Sequence, residues 1–395
     1  MTIVLFLGGL LLCVILQAVS VLALRALRRE SRAKIGSAFS PPVSIVKPLS
    51  GLDAALEENL ESFFRLDYPE FEIVFSFASE TDPAFAVARR VADRHPGVPA
   101  WFVVDPREPG RNAKVNRLAA GLRRARGAYF LLSDGDVRVT PDFLSRAVSW
   151  FREPSVGLVS HLFRTTGASS LGARLESLYL DGVLRAATAA IARILRMPCV
   201  VGKSILVSRA ALNAIGGLLP VRDYLAEDFL LGKLVEGAGF RVVLSGDEIE
   251  TFSGPKSLAA VWQRHRRWAI LRRRLGGACY ASEALASPAL FAAGAVVASG
   301  GSRSVLVAVV LLWATRLAIE SYARRGAGPA LTGRDLLLLP FHDLAVALLF
   351  WAGLVGSRTR WRGRRLRVGP GTLLIADGKD ENRAPNPNKI RRKAA

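Results

Sequence analysis

Residues 2–24 (TIVLFLGGLLLCVILQAVSVLAL) run without a single charged side chain, long enough as a helix to cross a hydrocarbon core of about 30 Å. A cleaved signal peptide is the competing reading. Its positive n-region is missing, however, and its apolar region would be only about 7–15 residues. The run therefore predicts a transmembrane anchor over 1–25, with a basic linker over 26–42 carrying Arg28, Arg29, Arg32 and Lys34. Basic residues on that side put position 25 onward in the cytoplasm by the positive-inside rule.

After Pro41-Pro42 the pattern changes to short apolar runs alternating with amphipathic stretches, as in an α/β domain. Strands are expected at 43–46, 71–77, 101–104 and 128–132, with helices at 57–64, 83–94 and 114–126 between them. Ligands of open α/β sheets lie beyond the carboxyl ends of the strands, and Asp82 and Asp134 both follow apolar strands. The domain is expected to extend over 43–275. Within it, residues 183–198 place Val183, Ala187, Ile191, Ile194 and Leu195 on one helical stripe. Two readings fit that stripe, a core-facing helix or one dipping into a monolayer.

Beyond Gly276 the chain is apolar again, and residues 281–356 are expected to hold two or three membrane or interfacial segments. The middle one, 304–319, is short and contains Arg316, so it reads as tilted or re-entrant. The remainder, 357–395, is a basic tail whose last part is polar enough to be disordered.

Charge sharpens this picture. The net charge is +21, which raises the question of nucleic acid. The basic residues nevertheless cluster beside apolar spans, at 25–34, 264–274 and 358–367. Juxtamembrane Lys and Arg attract anionic lipid by roughly 1 kcal/mol each, so an anionic membrane surface accounts for the charge and no nucleic-acid partner is called for. Cys13, Cys199 and Cys279 show neither metal-ligand spacing nor a disulfide framework. No Gly-x-Ser-x-Gly or Walker-type sequence is present.

The chemistry concentrates in four places. Asp134-Gly135-Asp136 ends the fourth strand, and two carboxylates at i and i+2 suit Mg²⁺, which takes one or two carboxylates and completes its shell with phosphates. An isolated Asp-Gly-Asp is more often a solvated turn; its position at a strand end favours the metal reading. Asp82-Pro83 starts a helix with Asp as cap and Pro at the first position, and it also suits a nucleotide contact. Lys114 fits either a phosphate or an exposed helix face. Glu227-Asp228 opens a helix, where carboxylates gain from the dipole, and Asp228 is the candidate general base for an attacking hydroxyl. Arg264 and Arg267, three apart and so on one helical face, suit a diphosphate leaving group, with Trp268 as a flat wall. A basic interfacial helix is the plainer reading of the same segment.

These residues, together with Ser44-Ile45-Val46-Lys47-Pro48-Leu49-Ser50-Gly51, Asn59 to Phe64 and Leu66-Asp67-Tyr68-Pro69, resemble the ceramide glucosyltransferase family, glycosyltransferase family 21, over most of 1–275. Asp82, Asp134, Asp228 and Arg264-x-x-Arg267-Trp268 match its four signatures. The resemblance implies a GT-A, Rossmann-like nucleotide-sugar domain with an N-terminal anchor and C-terminal membrane helices. It implies inverting transfer from a UDP-sugar to a lipid hydroxyl, with Mg²⁺ or Mn²⁺ at Asp134 and Asp136. Asp82, Lys114, Asp134, Arg264, Arg267 and Trp268 would bind the nucleotide sugar, and Asp228 would be the base. A multi-pass protein of a bacterial inner membrane, catalytic domain cytoplasmic, is what the likeness suggests. The second motif departs from the family: eukaryotic members carry Asp-Ser-Gly where this chain has Asp-Gly-Asp. A related bacterial branch that transfers N-acetylglucosamine to hopanoids shares the four signatures, so ceramide and hopanoid both stand as acceptors. A processive polysaccharide synthase and a non-catalytic membrane scaffold are the more distant alternatives.

Overall fold

The β1 strand explains the sheet. All six of its residues, Val43–Pro48, are buried, and successive side chains face opposite ways. Ile45 enters a core with Phe63, Phe75, Leu131 and Trp150, while Val46 enters a second core with Val74, Val115, Leu132 and Val207. The computed structural model describes residues 1–34, 39–325, 331–361 and 364–376.

After β1 come α2 (Leu56–Phe64), β2 (Phe71–Phe77), α3 (Pro83–Asp93), β3 (Ala100–Val104), α4 (Ala113–Leu122) and β4 (Tyr129–Ser133). These strands pair in parallel in the order β3-β2-β1-β4. The chain winds outward from β1 to β3, then returns to the far side of β1. A crevice therefore opens beyond the carboxyl ends of β1 and β4, where the order reverses. The sequence-predicted strands fall within one or two residues of these, and the helix expected over 114–126 stops at Leu122.

The second half adds β5 (Val137–Arg138), α5 (Phe143–Ser149), β6 (Val156–Thr166), α6 (Leu171–Leu178), a π-helical stretch Tyr179–Leu184, α7 (Arg185–Ile194), β7 (Ser204–Ser208), α8 (Arg209–Ala214), α9 (Glu227–Gly237) and β8 (Arg241–Phe252). β7 runs antiparallel to β4 and β6, β6 parallel to β8, and β5 antiparallel to β8. The result is an eight-stranded mixed sheet in the order β3-β2-β1-β4-β7-β6-β8-β5.

Among the described residues, four stretches are long and apolar enough to cross a membrane: Thr2–Ala33, Leu258–Ala298, Arg303–Arg324 and Gly333–Val355. The first is one continuous helix, α1, so residues 26–33 of the expected linker are helical. Its basic end is held on β8, where Arg28 Nη2 donates to Glu248 Oε1 at 2.6 Å and Gly246 N donates to Ser31 Oγ at 2.7 Å. The second comprises α10 (Leu258–Gly276), a 3₁₀ stretch Gly277–Ala286 and α11 (Pro288–Ala298). The others are α12 (Arg303–Arg324) and α13 (Gly333–Val355). At 22 residues, α12 is about 33 Å long, so the short segment expected at 304–319 needs no re-entrant path. Arg316, the reason for that expectation, is buried with its Nη2 donating to Asp343 Oδ1 at 2.8 Å.

The stripe at 183–198 resolves against the core. Ile191, Ile194 and Leu195 are 38%, 54% and 62% exposed, whereas Arg185, Ala186 and Ala189 are buried. Arg185 turns inward because Glu248 Oε2 accepts from its Nη1 at 3.1 Å. The basic tail also begins as structure. β9 (Arg358–Trp361), β10 (Arg364–Val368) and β11 (Leu374–Ala376) form an antiparallel sheet. Leu366, Val368 and Leu374 pack it on Leu225 and Ile270. The part expected to be disordered, 377–395, lies outside the described residues.

Candidate active site

The crevice is built from strand ends and helix starts. β4 delivers Asp134-Gly135-Asp136 beside the end of β1. There the fully buried Lys47 donates from Nζ to Ser133 Oγ at 3.2 Å and to the Asp134 carbonyl at 2.9 Å. Its ammonium lies 3.5 Å from the Phe63 ring centroid. Burial pulls the Lys47 pKa down to about 7, against the opposing pull of Asp134 and Asp136. Gly135 is tightly enclosed: a Cβ there would stand 3.1 Å from Leu49 Cδ2 and 3.2 Å from Asp53 Oδ2.

Asn112 sets the neighbouring helix. Its Oδ1 accepts from Lys114 N and Val115 N at 3.0 and 3.2 Å, and its Nδ2 donates to Tyr224 O at 2.8 Å and Glu227 Oε2 at 3.1 Å. Lys114 is consequently not on an exposed face. Its Nζ donates to Gly202 O at 2.7 Å and pairs with Asp134 Oδ1 at 2.9 Å and Glu227 Oε1 at 3.4 Å. Burial works against its charge, but Asp134 and Glu227 outweigh it and hold the ammonium above its ordinary range. Lys203, just before β7, grips Asp136 Oδ1 and Oδ2 at 2.7 and 2.5 Å and reaches Asp134 Oδ2 at 3.5 Å.

Glu227 and Asp228 form the first turn of α9. Asp228 Oδ2 accepts from Gly202 N at 2.8 Å, and Oδ1 accepts from Phe229 N at 2.8 Å. Gly202 permits this approach, since a Cβ there would be 2.7 Å from Asp228 Oδ2. Burial pushes both carboxyls up, with Lys114 pulling the other way. A cavity of ≈ 20 Å³ beside them, lined by Lys114, Gly202, Glu227 and Asp228 among apolar side chains, has room for about one water.

A second polar centre adjoins the first. Glu176 of α6 is 1% exposed. It pairs with Lys256 and lies 3.4 Å from both Arg264 Nη1 and His265 Nε2. Burial alone would raise its pKa, yet His265, Arg264 and Lys256 together hold it down at about 2. The Arg264 guanidinium is 5.0 Å from the Trp268 ring, and His265 stacks obliquely on Trp268 at 5.1 Å. Arg267 is half-buried on the same helix. After burial and Arg264, repulsion from Lys203 also lowers Lys256, which is the physical link between the two centres.

Among the sequence-predicted residues, Lys114, Asp134, Asp136 and Asp228 thus converge directly. Arg264 and Trp268 belong to the adjoining centre. Asp82 stands apart as a structural tie, its Oδ1 accepting from Ala84 N and from Gly51 N, both at 2.9 Å. Reasoning from residue pattern missed Lys203, Gly202 and Glu176. A Gly-Lys pair directly before an apolar strand was a usable signal for the first two; Glu176 had none, because its partners are distant in sequence.

Asp134 and Asp136 offer hard oxygen donors at 25% and 21% side-chain exposure. The described residues contain no group of three or more His, Cys, Asp or Glu able to hold an ion. The pair fits Mg²⁺ or Mn²⁺ completed by substrate phosphates, and Lys203 pairs with the same carboxylates.

With this geometry in view, likeness to known proteins becomes informative. Ceramide glucosyltransferase 1 of Caenorhabditis elegans is 30% identical over 233 residues, 59% of this chain and 50% of the relative. Ceramide glucosyltransferase 3 of the same organism is 28% identical over 261 residues, 66% of this chain and 56% of the relative. The chain thus spans about half the length of the curated relatives it matches. A mannosyltransferase from Pyrobaculum calidifontis, solved with GDP-Man and Mn²⁺, superimposes at a TM-score of 0.50 with 20% identity, covering 87% of this chain and 99% of that one. That likeness shows the fold, which is of the GT-A type. The description of glycosyl transferase family 21 matches residues 9–374, and the chain belongs to that family.

Proposed function

We propose that the chain is an inverting membrane glycosyltransferase that moves glucose from UDP-glucose to the hydroxyl of ceramide. The observation that carries the reading is the half-buried Glu227-Asp228 pair, facing Asp134 across Lys114 at the switch point of the sheet. A carboxylate raised by burial is suited to take a proton from a hydroxyl. The names of the family relatives supply the sugar and the lipid.

In this mechanism Asp228 accepts the hydroxyl proton as the acceptor oxygen bonds to the anomeric carbon. The bond from that carbon to the diphosphate oxygen breaks in the same displacement, and UDP leaves with the electron pair. Asp134 and Asp136 would hold Mg²⁺ or Mn²⁺, which supplies charge neutralisation for the diphosphate. Lys114 and Lys203 add fixed positive charge where the leaving group's charge grows, as Arg264 and Arg267 do from α10. Trp268 would flank the nucleotide sugar and Asp82 the uridine. Interfacial contact falls to Ile191, Ile194, Leu195 and Met197, exposed beside Arg193 and Arg196. The catalytic domain would face the cytoplasm of a bacterial inner membrane.

The test is to incubate the full chain in vesicles with labelled UDP-glucose or UDP-N-acetylglucosamine and ceramide or hopanoid, then identify the labelled lipid and its anomeric configuration. Inverted glucosylceramide supports the reading. A labelled hopanoid reassigns the acceptor. Metal-independent behaviour with no lipid product removes the enzyme altogether.

A further inference from the structure

A cavity of ≈ 360 Å³ lies between α6, α10 and α13, outside the polar crevice. That is the lower end of the range for small-ligand pockets, roughly 300–1,000 Å³. Its walls are apolar, among them Leu175, Val261, Val346 and Leu349. Leu258 and Trp262 also line it while remaining 52% and 38% exposed, so it opens along the outer side of α10. Both α10 and α13 belong to stretches apolar enough to cross a membrane. An aqueous solute would lose its hydration against such walls, whereas a hydrocarbon chain entering from a bilayer exchanges one apolar surrounding for another and gains packing contacts.

Glu176, Tyr179, His265 and His342 are the polar members of the lining beside Trp262. Glu176 and His265 are parts of the Arg264 centre, so the cavity borders that centre. His342 is 3% exposed, and its Nδ1 donates to Asp343 Oδ1 at 3.0 Å. Arg316 holds the same carboxylate oxygen at 2.8 Å. A ring whose Nδ1–H is committed to a carboxylate has Nε2 as its acceptor. His342 Nε2 is buried without a hydrogen-bond partner, an arrangement that native structures rarely keep without cause. Ionisable residues placed within membrane helices are costly and mark functional sites by default.

We infer that this cavity receives a hydrocarbon chain of the acceptor lipid, with the Arg316–Asp343–His342 set positioning an acceptor nitrogen for a polar N–H or O–H of the lipid near its head. The inference rests on the lipid-transfer reading above. It leaves the sugar-bearing hydroxyl to Asp228 and gives the chain-binding energy to α10 and α13.

The experiment uses the full chain in vesicles containing long-chain ceramide. Val346→Phe and Ala345→Phe narrow the cavity without touching the crevice. Each is expected to raise KM for ceramide about tenfold, because the added ring overpacks the cavity against the bound chain, while KM for UDP-glucose stays unchanged. His342→Ala should raise the ceramide KM several-fold, and His342→Gln should restore part of the loss. A diazirine in the acyl chain of ceramide should label wild-type peptides within 258–268 and 339–349. Unchanged ceramide KM in well-folded filling variants, or label placed elsewhere, overturns the assignment; label elsewhere does so even where a variant fails to fold. Label within these peptides in a protein that glycosylates no lipid would support the cavity and sink the reaction, so the two readings fail separately.

Discussion

Two carboxylate centres in this molecule have opposite electrostatics. At the start of α9, the half-buried Glu227 and Asp228 share essentially one cation, Lys114, and desolvation wins: both pKa values rise. On α6, Glu176 is at least as buried but faces Lys256, Arg264 and His265, and the cations win: its pKa falls to about 2. Burial therefore does not decide the state of an acid; the number of cations within reach does. On the proposed mechanism the first centre exchanges a proton. The second is an anion paired with Lys256 and Arg264.

The largest effect should come from breaking the first centre. Asp228→Asn is expected to fold and bind UDP with unaltered affinity by calorimetry, yet lose turnover by about 10²–10⁴-fold, the range associated with a positioned general base. Turnover close to wild type would remove the base assignment. In the second centre, Glu176→Gln leaves the half-buried Lys256 and Arg264 without their anion, which should destabilise the fold by roughly 1–3 kcal/mol, read from chemical denaturation. If stability holds and only activity falls, Glu176 is not an anchor.

Titration sharpens the contrast further. Glu176 has a lowered folded-state pKa, so its stabilisation is present above the ordinary 4.5 and is lost as pH falls toward about 2. The Glu227-Asp228 pair has the opposite sign: its raised values favour the fold at low pH and withdraw that support as pH rises. Activity moves inversely, since a protonated Asp228 cannot take a proton. Lys114→Met removes the cation opposing burial and should shift the acid limb of kcat upward by about one unit or more. A limb that stays in place would mean another group sets it. Lys203→Met probes the same crevice without activity: releasing Asp136 while Lys114 stays on Asp134 should tighten Mn²⁺ binding about tenfold at this semi-buried site, measured by calorimetry without nucleotide. Unchanged affinity would mean that Lys203 does not compete with the ion.

How much of this was legible beforehand follows from what kind of signal each feature leaves. The strands over 43–46 and 71–77 and the Asp-Gly-Asp turn were readable because continuous apolar runs ending in polar turns are local patterns. The apolar helix starting at Thr2 was readable, but its continuation through Ala33 was not. Basic residues look like a linker until Glu248 and Gly246 of β8 supply partners for Arg28 and Ser31. The stripe at 183–198 misled on the core reading because Arg185 is buried by an acid more than sixty positions away. Glu176 escaped for the same reason, its partners lying far away in sequence, whereas Lys203 left a local signal, the Gly-Lys pair before β7, that pattern reasoning missed. Arg316 looked like a defect in a membrane helix until Asp343 accounted for it.

The smallest effect concerns a third element, absent from the sequence reading, that supports the proton-exchanging centre from behind. The C-terminal sheet does not touch Asp228, but Thr372 holds the segment that precedes it. Leu225 N donates to Thr372 O at 3.0 Å, Ala226 N donates to Thr372 Oγ1 at 3.2 Å, and Leu374 N donates to Asp223 O at 2.8 Å. From the other side, Arg111 N donates to Asp223 Oδ1 at 2.8 Å. The 223–226 segment is thus clamped between α4 and the tail, which fixes where α9 begins and so where Asp228 stands. Thr372→Val keeps the shape and deletes one acceptor, leaving the buried Ala226 N–H unpaired at a cost of about 1–3 kcal/mol. Because the backbone bonds remain, the expected result is a modest loss in Tm and a kcat reduced several-fold, with KM for UDP-glucose unchanged. Thr372→Ser, which restores the oxygen, should recover both. A Tm loss without any fall in kcat would make the tail a prop for stability alone, and would leave the placement of Asp228 to Asn112 and Gly202.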